Sequence, residues 1–362
     1  MKNLFKIFIL ISLLLLACED KLDLTDLNEL SKGPINFSDT LYIQQSPVWK
    51  GFNKPQDMIV GREPFIYVAD TENDRIVMMN VAGDVLGVRS VQHPVAIAQD
   101  YKLNLWVCAQ FDTVINNLPL TFSALYKLDL VKVNHRIENS LPERILPQNP
   151  KDNPFAFTRP DRQYTGVCVF YDNSLLVSRV GPDNSNPVDR DNAILTLKFE
   201  KSVSGKDSLV LGKVPLLEPE GTGLMSANRI SSLTSFNKRK RDIILTLAGN
   251  NSFKVQWLKY VQSPDFTGYQ PEFDAFSNDL MQAGRFGRPE DVALDGANNI
   301  FVADAEKDSV FKFSSFGDEL QSFGGSGIFN HPHAVAYHNK TVYVLDTGND
   351  RIVRFILSTE VE

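Results

Sequence analysis

Three copies of one nine-residue phrase decide the fold of this chain: VADTENDRI at 68–76, VADAEKDSV at 302–310 and VLDTGNDRI at 344–352. Each copy is an apolar strand end, a polar turn that begins with aspartate, and the opening of a second strand. A further strand-like stretch begins at a proline upstream of each copy, at Pro55, Pro289 and Pro332. The repeat therefore predicts a series of similar β units instead of a single non-repeating core.

The spacing of the prolines gives the size of the unit. Pro55 and Pro94 are 39 residues apart, and Pro289 and Pro332 are 43 residues apart, which is typical of a four-stranded propeller blade. The same pattern places the starts of six blades at Pro55, Pro94, Tyr164, Asn228, Pro289 and Pro332. We therefore predict an all-β chain that folds as a six-bladed β-propeller.

The last blade is short of one strand. Strand-like segments at 333–338, 341–346 and 351–357 are the last in the sequence, so this blade has no outer strand of its own. The segment TLYIQQSPV at 40–48 has strand character and belongs to no other blade. We expect it to pair with the last blade, because this pairing closes the ring without an open sheet edge.

The pattern PxDVAx…IFVADxxxxxVxxF, clearest at 289–313 and 332–355, resembles the NHL-repeat six-bladed propellers, within the wider TolB-like group. Some propellers of this type are metal-dependent lyases, and related ones are calcium-dependent lactonases. The resemblance therefore implies an alternative function as a metal-dependent lyase or lactonase-type enzyme with its site in the central channel. Candidates for that site by position alone are Glu290, Asp291, Asp57, and the histidines His331 and His333.

The N-terminal residues are predicted to precede the propeller, which we place at 40–358. An apolar run at 4–16, too short to span a bilayer, ends in Leu-Leu-Ala-Cys. This ending resembles the lipobox of bacterial lipoproteins, which implies a signal peptide at 1–17 and lipidation of Cys18. Residues 18–39 are acidic with scattered leucines, and we interpret them as a flexible tether. A plain signal peptide with an unrelated cysteine is the alternative.

The charge of the chain bears on its partners. The formal net charge is −7, and loss of residues 1–17 with their two lysines makes it −9. Such an acidic protein is not expected to bind nucleic acid. We expect acyl chains on Cys18 to hold it at a membrane of the cell envelope, as an outer-membrane lipoprotein. Glu19 and Asp20 resemble an export tag for the outer face, and the leaflet stays open.

Longer segments interrupt the middle of the repeat. Blade starts are 70 residues apart from Pro94 to Tyr164 and 64 apart from Tyr164 to Asn228. The extra residues fall at 110–122, 149–163, 181–192, 215–227 and 278–288. With the four strands of a blade named A to D from the axis outward, all five segments are B–C or D–A connections. These connections leave an up-and-down blade on the same face, so we predict binding on that face.

The predicted ligand residues stand where the inner strands begin on that face. They precede the blade-starting prolines or take the next positions inward: Lys54, Gln56, His93, Arg229, Arg288, Glu290, His331 and His333. Such cationic, titratable and polar groups suit an anionic or polyhydroxylated ligand. The alternative is that a polar residue before proline merely suits a solvated link between blades. The sequence assigns no catalytic residue, no metal ligand and no cofactor.

Other polar residues receive structural interpretations. Asp70, Asp304 and Asp346 are predicted to accept hydrogen bonds from turn N–H groups. Cys108 and Cys168 lie in apolar strands and are predicted to be buried thiols, with a disulfide between blades as the alternative. The basic run at 238–241 is predicted to form a solvated hairpin tip on the opposite face, with contact to acidic lipids as the alternative.

These observations predict a lipid-anchored binding or scaffold module. One loop-rich face of the propeller would bind an outer-membrane protein partner or a small or oligomeric extracellular ligand. The competing interpretation is the metal-dependent enzyme that the family resemblance implies.

Overall fold

Twenty-four β-strands form six antiparallel four-stranded sheets in the part of the chain that the structure describes. The structure is a computed structural model, and it describes residues 41–149, 157–201, 207–236, 239–273 and 279–360. The compact unit is Tyr42–Glu362. The predicted signal peptide, Cys18 and the tether lie outside the described residues.

Five blades use consecutive strands. Blade 1 contains β2 (Asp57–Val60), β3 (Phe65–Asp70), β4 (Arg75–Asn80) and β5 (Val85–Ser90). Blade 2 contains β6 (Ala96–Gln99), β7 (Asn104–Ile115), β8 (Leu118–Asp129) and β9 (Glu143–Leu146). Blade 3 contains β10 (Gln163–Val169), β11 (Leu175–Val180), β12 (Ala193–Lys201) and β13 (Asp207–Lys213). Blade 4 contains β14 (Ile230–Ser235), β15 (Ile243–Leu247), β16 (Val255–Gln262) and β17 (Thr267–Pro271). Blade 5 contains β18 (Pro289–Leu294), β19 (Ile300–Asp304), β20 (Ser309–Phe313) and β21 (Glu319–Gly324).

The sixth blade is built from both ends of the described chain. Its inner strands are β22 (Pro332–His338), β23 (Thr341–Asp346) and β24 (Arg351–Leu357), and its outer strand is β1 (Tyr42–Lys50). β1 pairs antiparallel with β24, from Tyr42 opposite Leu357 to Lys50 opposite Arg351. The predicted six-bladed fold is confirmed, and the predicted closing strand occupies this outer position.

The core is divided among the interfaces between blades. The described residues form six clusters of buried apolar side chains, and each joins one blade to the next around a closed ring. The second strand of each blade is almost entirely buried, as in β3 and β19, because neighbouring sheets cover both of its faces. Burial of these continuous apolar runs is the main contribution to the stability of the propeller.

The repeated phrase ties neighbouring blades together. Its first aspartates, Asp70, Asp304 and Asp346, are fully buried. Each accepts a hydrogen bond at 2.7 Å from a backbone N–H of the segment leading into its own blade: Asn53, Gly287 and Asn330. Its second aspartates, Asp74, Asp308 and Asp350, accept hydrogen bonds at 2.7 Å from the segment leading into the next blade: His93, His331 and Lys54. We call blades 5, 6 and 1 the regular arc and blades 2, 3 and 4 the divergent arc.

The five long segments are the connections that the sequence predicted. Segment 181–192 joins β11 to β12, and 149–163, 215–227 and 278–288 lead from one blade to the next. Segment 110–122 is not a loop, which corrects the sequence interpretation. It consists of continued β7 and β8 joined by a two-residue turn at Asn116 and Asn117, both with positive φ, because such residues favour tight hairpins.

Several smaller expectations also have an outcome. Cys108 and Cys168 are buried free thiols, so the alternative of a disulfide between blades is wrong. The basic run lies between β14 and β15, on the face opposite the long segments, with Lys238 outside the described residues. Arg241 of this run pairs with Asp172. No helix among the described residues is long and apolar enough to cross a membrane.

Candidate functional site

The central channel of the propeller holds two cavities. The upper cavity, about 310 Å³, opens toward the long segments, and the lower cavity, about 350 Å³, opens toward the opposite face. Their linings share four residues, which we call the waist: Asp57, Ala96, Ser232 and Asp291. The waist therefore separates two chambers that the same six inner strands enclose.

The structure brings together most of the predicted ligand residues. Six of the eight line the upper cavity: Gln56, His93, Arg229, Arg288, Glu290 and His333. Lys54 and His331 are exposed and do not belong to this lining. Lys54 pairs with Asp350 at 3.8 Å, and His331 Nδ1 lies 2.8 Å from Asn330 Oδ1. The eight predicted residues therefore divide into six that line the cavity and two at its outer rim.

The backbone at the start of the inner strands does not explain this division, because residues of both groups share one conformation. Lys54, His93 and His331 have positive φ values of 45°, 44° and 51°, a left-handed conformation that residues other than glycine seldom adopt. The second aspartates hold these three backbone N–H groups by hydrogen bonds at 2.7 Å. The repeat thus fixes an unfavourable backbone at the mouth of the channel, where it sets the direction of each side chain.

A charged group of three side chains stands on the wall formed by blades 5 and 6. The Arg288 guanidinium contacts the Glu290 carboxylate, and His333 Nε2 lies 4.0 Å from Glu290 Oε1. Burial raises the pKa of Glu290 above its ordinary value, although Arg288 opposes this rise. Burial, followed by the charges of Arg288 and His331, lowers the pKa of His333 to about 4. His333 is therefore neutral near pH 7.

The polar groups on the other side of the upper cavity are largely unpaired. Among the described residues, the Arg229 guanidinium has no hydrogen-bond or ion-pair partner, and the side-chain amides of three glutamines also have none: Gln56, Gln110 and Gln163. Gln56 and Gln110 are half-buried, whereas Arg229 and Gln163 are exposed and can be hydrated. Four polar groups with no side-chain partner thus line one chamber, where a ligand could replace water.

The waist carries two carboxylates. Asp57 Oδ2 accepts a hydrogen bond from the Ile97 N–H at 2.5 Å, and Asp291 Oδ2 accepts one from the Val335 N–H at 3.0 Å. Burial raises the pKa of Asp57, and the charge of Asp291 across the channel raises it further. Burial also raises the pKa of Asp291. These carboxylates tie blade 1 to blade 2 and blade 5 to blade 6 from inside the channel.

The described residues provide no donor set for a channel metal. No group of three or more histidine, cysteine, aspartate or glutamate side chains among them is placed to hold a metal ion. Glu290 and His333 come together, but both oxygens of Asp57 accept backbone N–H bonds, and those of Asp291 accept bonds from the Val335 N–H and the Ser232 hydroxyl. The metal centre that the family resemblance implies therefore does not fit these residues.

Several cavity residues were missed from the sequence. Gln110, Ser123, Gln163 and Tyr164 line the upper cavity and belong to the divergent arc. Burial raises the pKa of Tyr164 to about 12. Position relative to a proline could not identify Gln163 and Tyr164, because blade 3 lacks that proline. It could not identify Gln110 and Ser123 either, because they lie on the second and third strands of blade 2. The alternation of side chains along the inner strands was the available signal.

The fold is shared with known propellers at low sequence identity. The chain is similar to an aldose sugar dehydrogenase from Streptomyces coelicolor with TM-score 0.55 and 11% identity, over 88% of this chain and 98% of that one. It is also similar to a luciferin-regenerating enzyme, with TM-score 0.54 and 12% identity over 86% and 95% of the two chains. A third similar structure is a protein provisionally named a gluconolactonase, with TM-score 0.53 and 12% identity over 90% and 96%. No protein-family model and no curated protein matches the sequence.

Proposed function

We propose that this protein is a binding module whose upper cavity takes a small, hydroxyl-rich anion, with a sugar acid as the chemical class. The observation that carries the proposal is the convergence of one unpaired guanidinium and three unpaired amides in a chamber of about 310 Å³. The guanidinium of Arg229 would bind a carboxylate, since the two groups match in charge and in hydrogen-bond geometry. The amides of Gln56, Gln110 and Gln163 would hydrogen-bond hydroxyl groups, because each amide both donates and accepts.

Titration calorimetry with glucuronate and glucose tests this proposal. We expect glucuronate to bind and glucose to bind at least about tenfold more weakly, because only the acid satisfies Arg229. Arg229→Ala should lower the affinity for glucuronate about tenfold or more. The matched control is Arg62→Ala, since Arg62 also lines the channel but belongs to the lower cavity and stacks 3.2 Å from the Tyr101 ring centroid.

Comparison of the Arg229→Ala and Arg62→Ala variants shows which of the two cavities binds glucuronate. Loss of glucuronate binding in Arg62→Ala with retention in Arg229→Ala would place the site in the lower cavity. Equal binding of glucose and glucuronate would contradict the role of Arg229 as the anion-binding group.

A lactonase or lyase is the second candidate function, and the Glu290–His333 pair favours it. A buried carboxyl with a raised pKa beside a neutral imidazole is an arrangement suited to proton transfer. Hydrolysis of glucono-1,5-lactone by the wild-type protein, lost in both Glu290→Gln and His333→Asn, would support this function. Tight binding of the sugar acid without turnover of the lactone would favour the binding module.

The identification of the repeats as the NHL type, and of the chain as a lipoprotein, belongs to the same proposal. The LLAC sequence at 15–18 supports lipidation of Cys18, and the tether at 18–39 would carry the propeller away from an outer-membrane surface. Cys18→Ser should release the full-length protein from the membrane fraction. Retention of this variant in the membrane would contradict the lipid anchor. A protein partner captured by the same face, and lost on deletion of 183–189, would favour the scaffold role.

A further inference from the structure

The hairpin of blade 2 continues well past its sheet. The strands β7 and β8 have twelve residues each, whereas β3 and β23 have six. The inner strand β6 pairs with β7 only up to Cys108, and β9 pairs with β8 from Leu125 onward. Among the described strands, residues 109–115 and 118–124 therefore pair only with each other. We call this two-stranded extension the ribbon, and it is about 20 Å long.

One face of the ribbon is packed and holds it in place. Phe111 and Phe122 stack with ring centroids 5.9 Å apart, and Phe157 packs on both at 5.6 and 5.4 Å. The Arg144 guanidinium lies 4.2 Å from the Phe111 ring centroid. A two-stranded hairpin alone is marginally stable in water, so this aromatic cluster stabilises the extended conformation.

The other face of the ribbon continues the wall of the upper cavity. Gln110 and Ser123 are opposite each other in the hairpin, and both line the cavity. Side chains alternate along a strand, so the next cross-strand pairs on this face are Asp112 with Thr121 and Val114 with Pro119. The Thr121 hydroxyl donates a hydrogen bond to Asp112 Oδ1 at 2.6 Å, and this bond lowers the pKa of Asp112. Val114 is 67% exposed, so this wall is open to a ligand.

The position of the ribbon around the ring allows it to contact a ligand that is longer than the upper cavity. It belongs to blade 2, whereas Arg229, the proposed anion-binding group, precedes the inner strand of blade 4, two blades further around the ring. The cavity volume is near the lower end for small-molecule sites. A ligand that is longer than this cavity and has its acid group at Arg229 could therefore extend past Gln110 along the ribbon.

We propose that the ribbon is a second subsite, so that the ligand is a short oligosaccharide with one acidic terminal unit and a neutral second unit. This inference rests on the proposed function of the upper cavity. Asp112 is ionised at neutral pH, so it would repel a second acidic unit and accept hydrogen bonds from the hydroxyls of a neutral one. Val114 and Pro119 offer an apolar surface for the carbon-bound face of the sugar ring.

The test compares glucuronate with the disaccharide glucuronosyl-1,4-glucose by titration calorimetry. The ribbon is shortened by deleting 112–115 and 118–121, so that Asn116 and Asn117 join Phe111 directly to Phe122. This change keeps the two-residue turn, the cross-strand register and the aromatic cluster. We expect the wild-type protein to bind the disaccharide about tenfold more tightly than glucuronate. The shortened chain should lose that gain and retain its affinity for glucuronate.

The outcomes separate this inference from the proposal beneath it. Equal affinity of the wild-type protein for the two sugars would overturn the subsite and leave the cavity proposal intact. An equal loss for both sugars in the shortened chain would mean that the ribbon only supports the cavity, which also overturns the subsite. Absence of binding of both sugars to the wild-type protein would overturn both proposals. The point variant Asp112→Ala, expected to weaken only the disaccharide severalfold, gives the same comparison without a deletion.

Discussion

The two arcs of the wheel hold their blades together by different chemistry. In the regular arc, buried aspartates of the repeated phrase accept backbone N–H bonds from the segments that lead into their own blades, as Asp346 does from Asn330. In the divergent arc, the long connection of blade 3 is held by side chains. Asp191 is fully buried and accepts hydrogen bonds from Arg159 and Arg162 at 2.7 and 2.6 Å.

The divergent arc adds a second carboxylate to this network. Asp189 contacts Arg162 at 2.7 Å and Arg179 at 3.0 Å, and Lys213 completes the group. Burial opposes ionisation, but hydrogen bonds from Lys213, Arg162 and Arg179 keep the pKa of Asp189 well below its ordinary value. In both arcs, buried carboxylates hold the connecting segments by hydrogen bonds. Where a connection departs from the repeat, it can place additional polar side chains at the cavity.

The largest expected effect is in the regular arc. Asp346→Ala removes the acceptor of the Asn330 N–H, the Asn349 amide and the Arg351 guanidinium. We expect the free energy of unfolding in urea to fall by about 3 kcal/mol, because buried donors lose their partner. The control is Asp350→Ala, which is partly exposed and holds the Lys54 backbone N–H, with an expected loss of about 1 kcal/mol. Equal losses would contradict the importance of the buried aspartate.

A smaller and more local effect is expected in the divergent arc. Asp191→Ala frees Arg159 and Arg162, which are partly accessible to water and can be solvated again. We expect a loss of about 1–2 kcal/mol together with faster proteolysis within 181–192. Asn186→Ala, on the exposed part of the same connection, should change neither measurement. A loss as large as that of Asp346→Ala would mean that the arcs do not differ in this way.

The smallest expected effect is a pH dependence that arises at the waist. The pKa of Asp57 and that of Asp291 are raised in the folded state, so the folded protein retains protons that the unfolded chain has lost. Their contribution to stability is present below the ordinary carboxyl pKa of about 4 and is lost as pH rises through the raised values. Asp57→Asn and Asp291→Asn should each reduce the decrease in the free energy of unfolding between about pH 4 and pH 7.

The contribution of His333 to stability has the opposite pH dependence. His333 is present in the wild-type protein and in both variants. Its pKa is lowered to about 4, so its contribution is lost as pH falls from about 6.5, the ordinary histidine value. Since His333 contributes equally to wild type and variants, the difference between them isolates the carboxylates. An unchanged slope in both variants would contradict the raised pKa values of these two carboxyl groups.

The sequence predicted the parts of the site that repeat. The repeat gave the blade starts, and through them six cavity residues: Gln56, His93, Arg229, Arg288, Glu290 and His333. Lys54 and His331 were placed with them because they have the same position in the repeat. The structure separates these two, because they are exposed at the rim, although His93 has the same left-handed backbone and lines the cavity.

The sequence by itself determined the number of blades, their order and the strand that closes the ring, since these follow from local periodicity repeated along the chain. Only the tertiary structure decided which polar groups share one chamber. Gln110, Ser123 and Gln163 lie in the divergent arc, where no repeat aligns them with the regular blades, and they join the predicted residues because ring closure brings six blades around one axis. Ring closure also brings Asp57 and Asp291 together, since these residues are far apart in sequence and interact only across the channel.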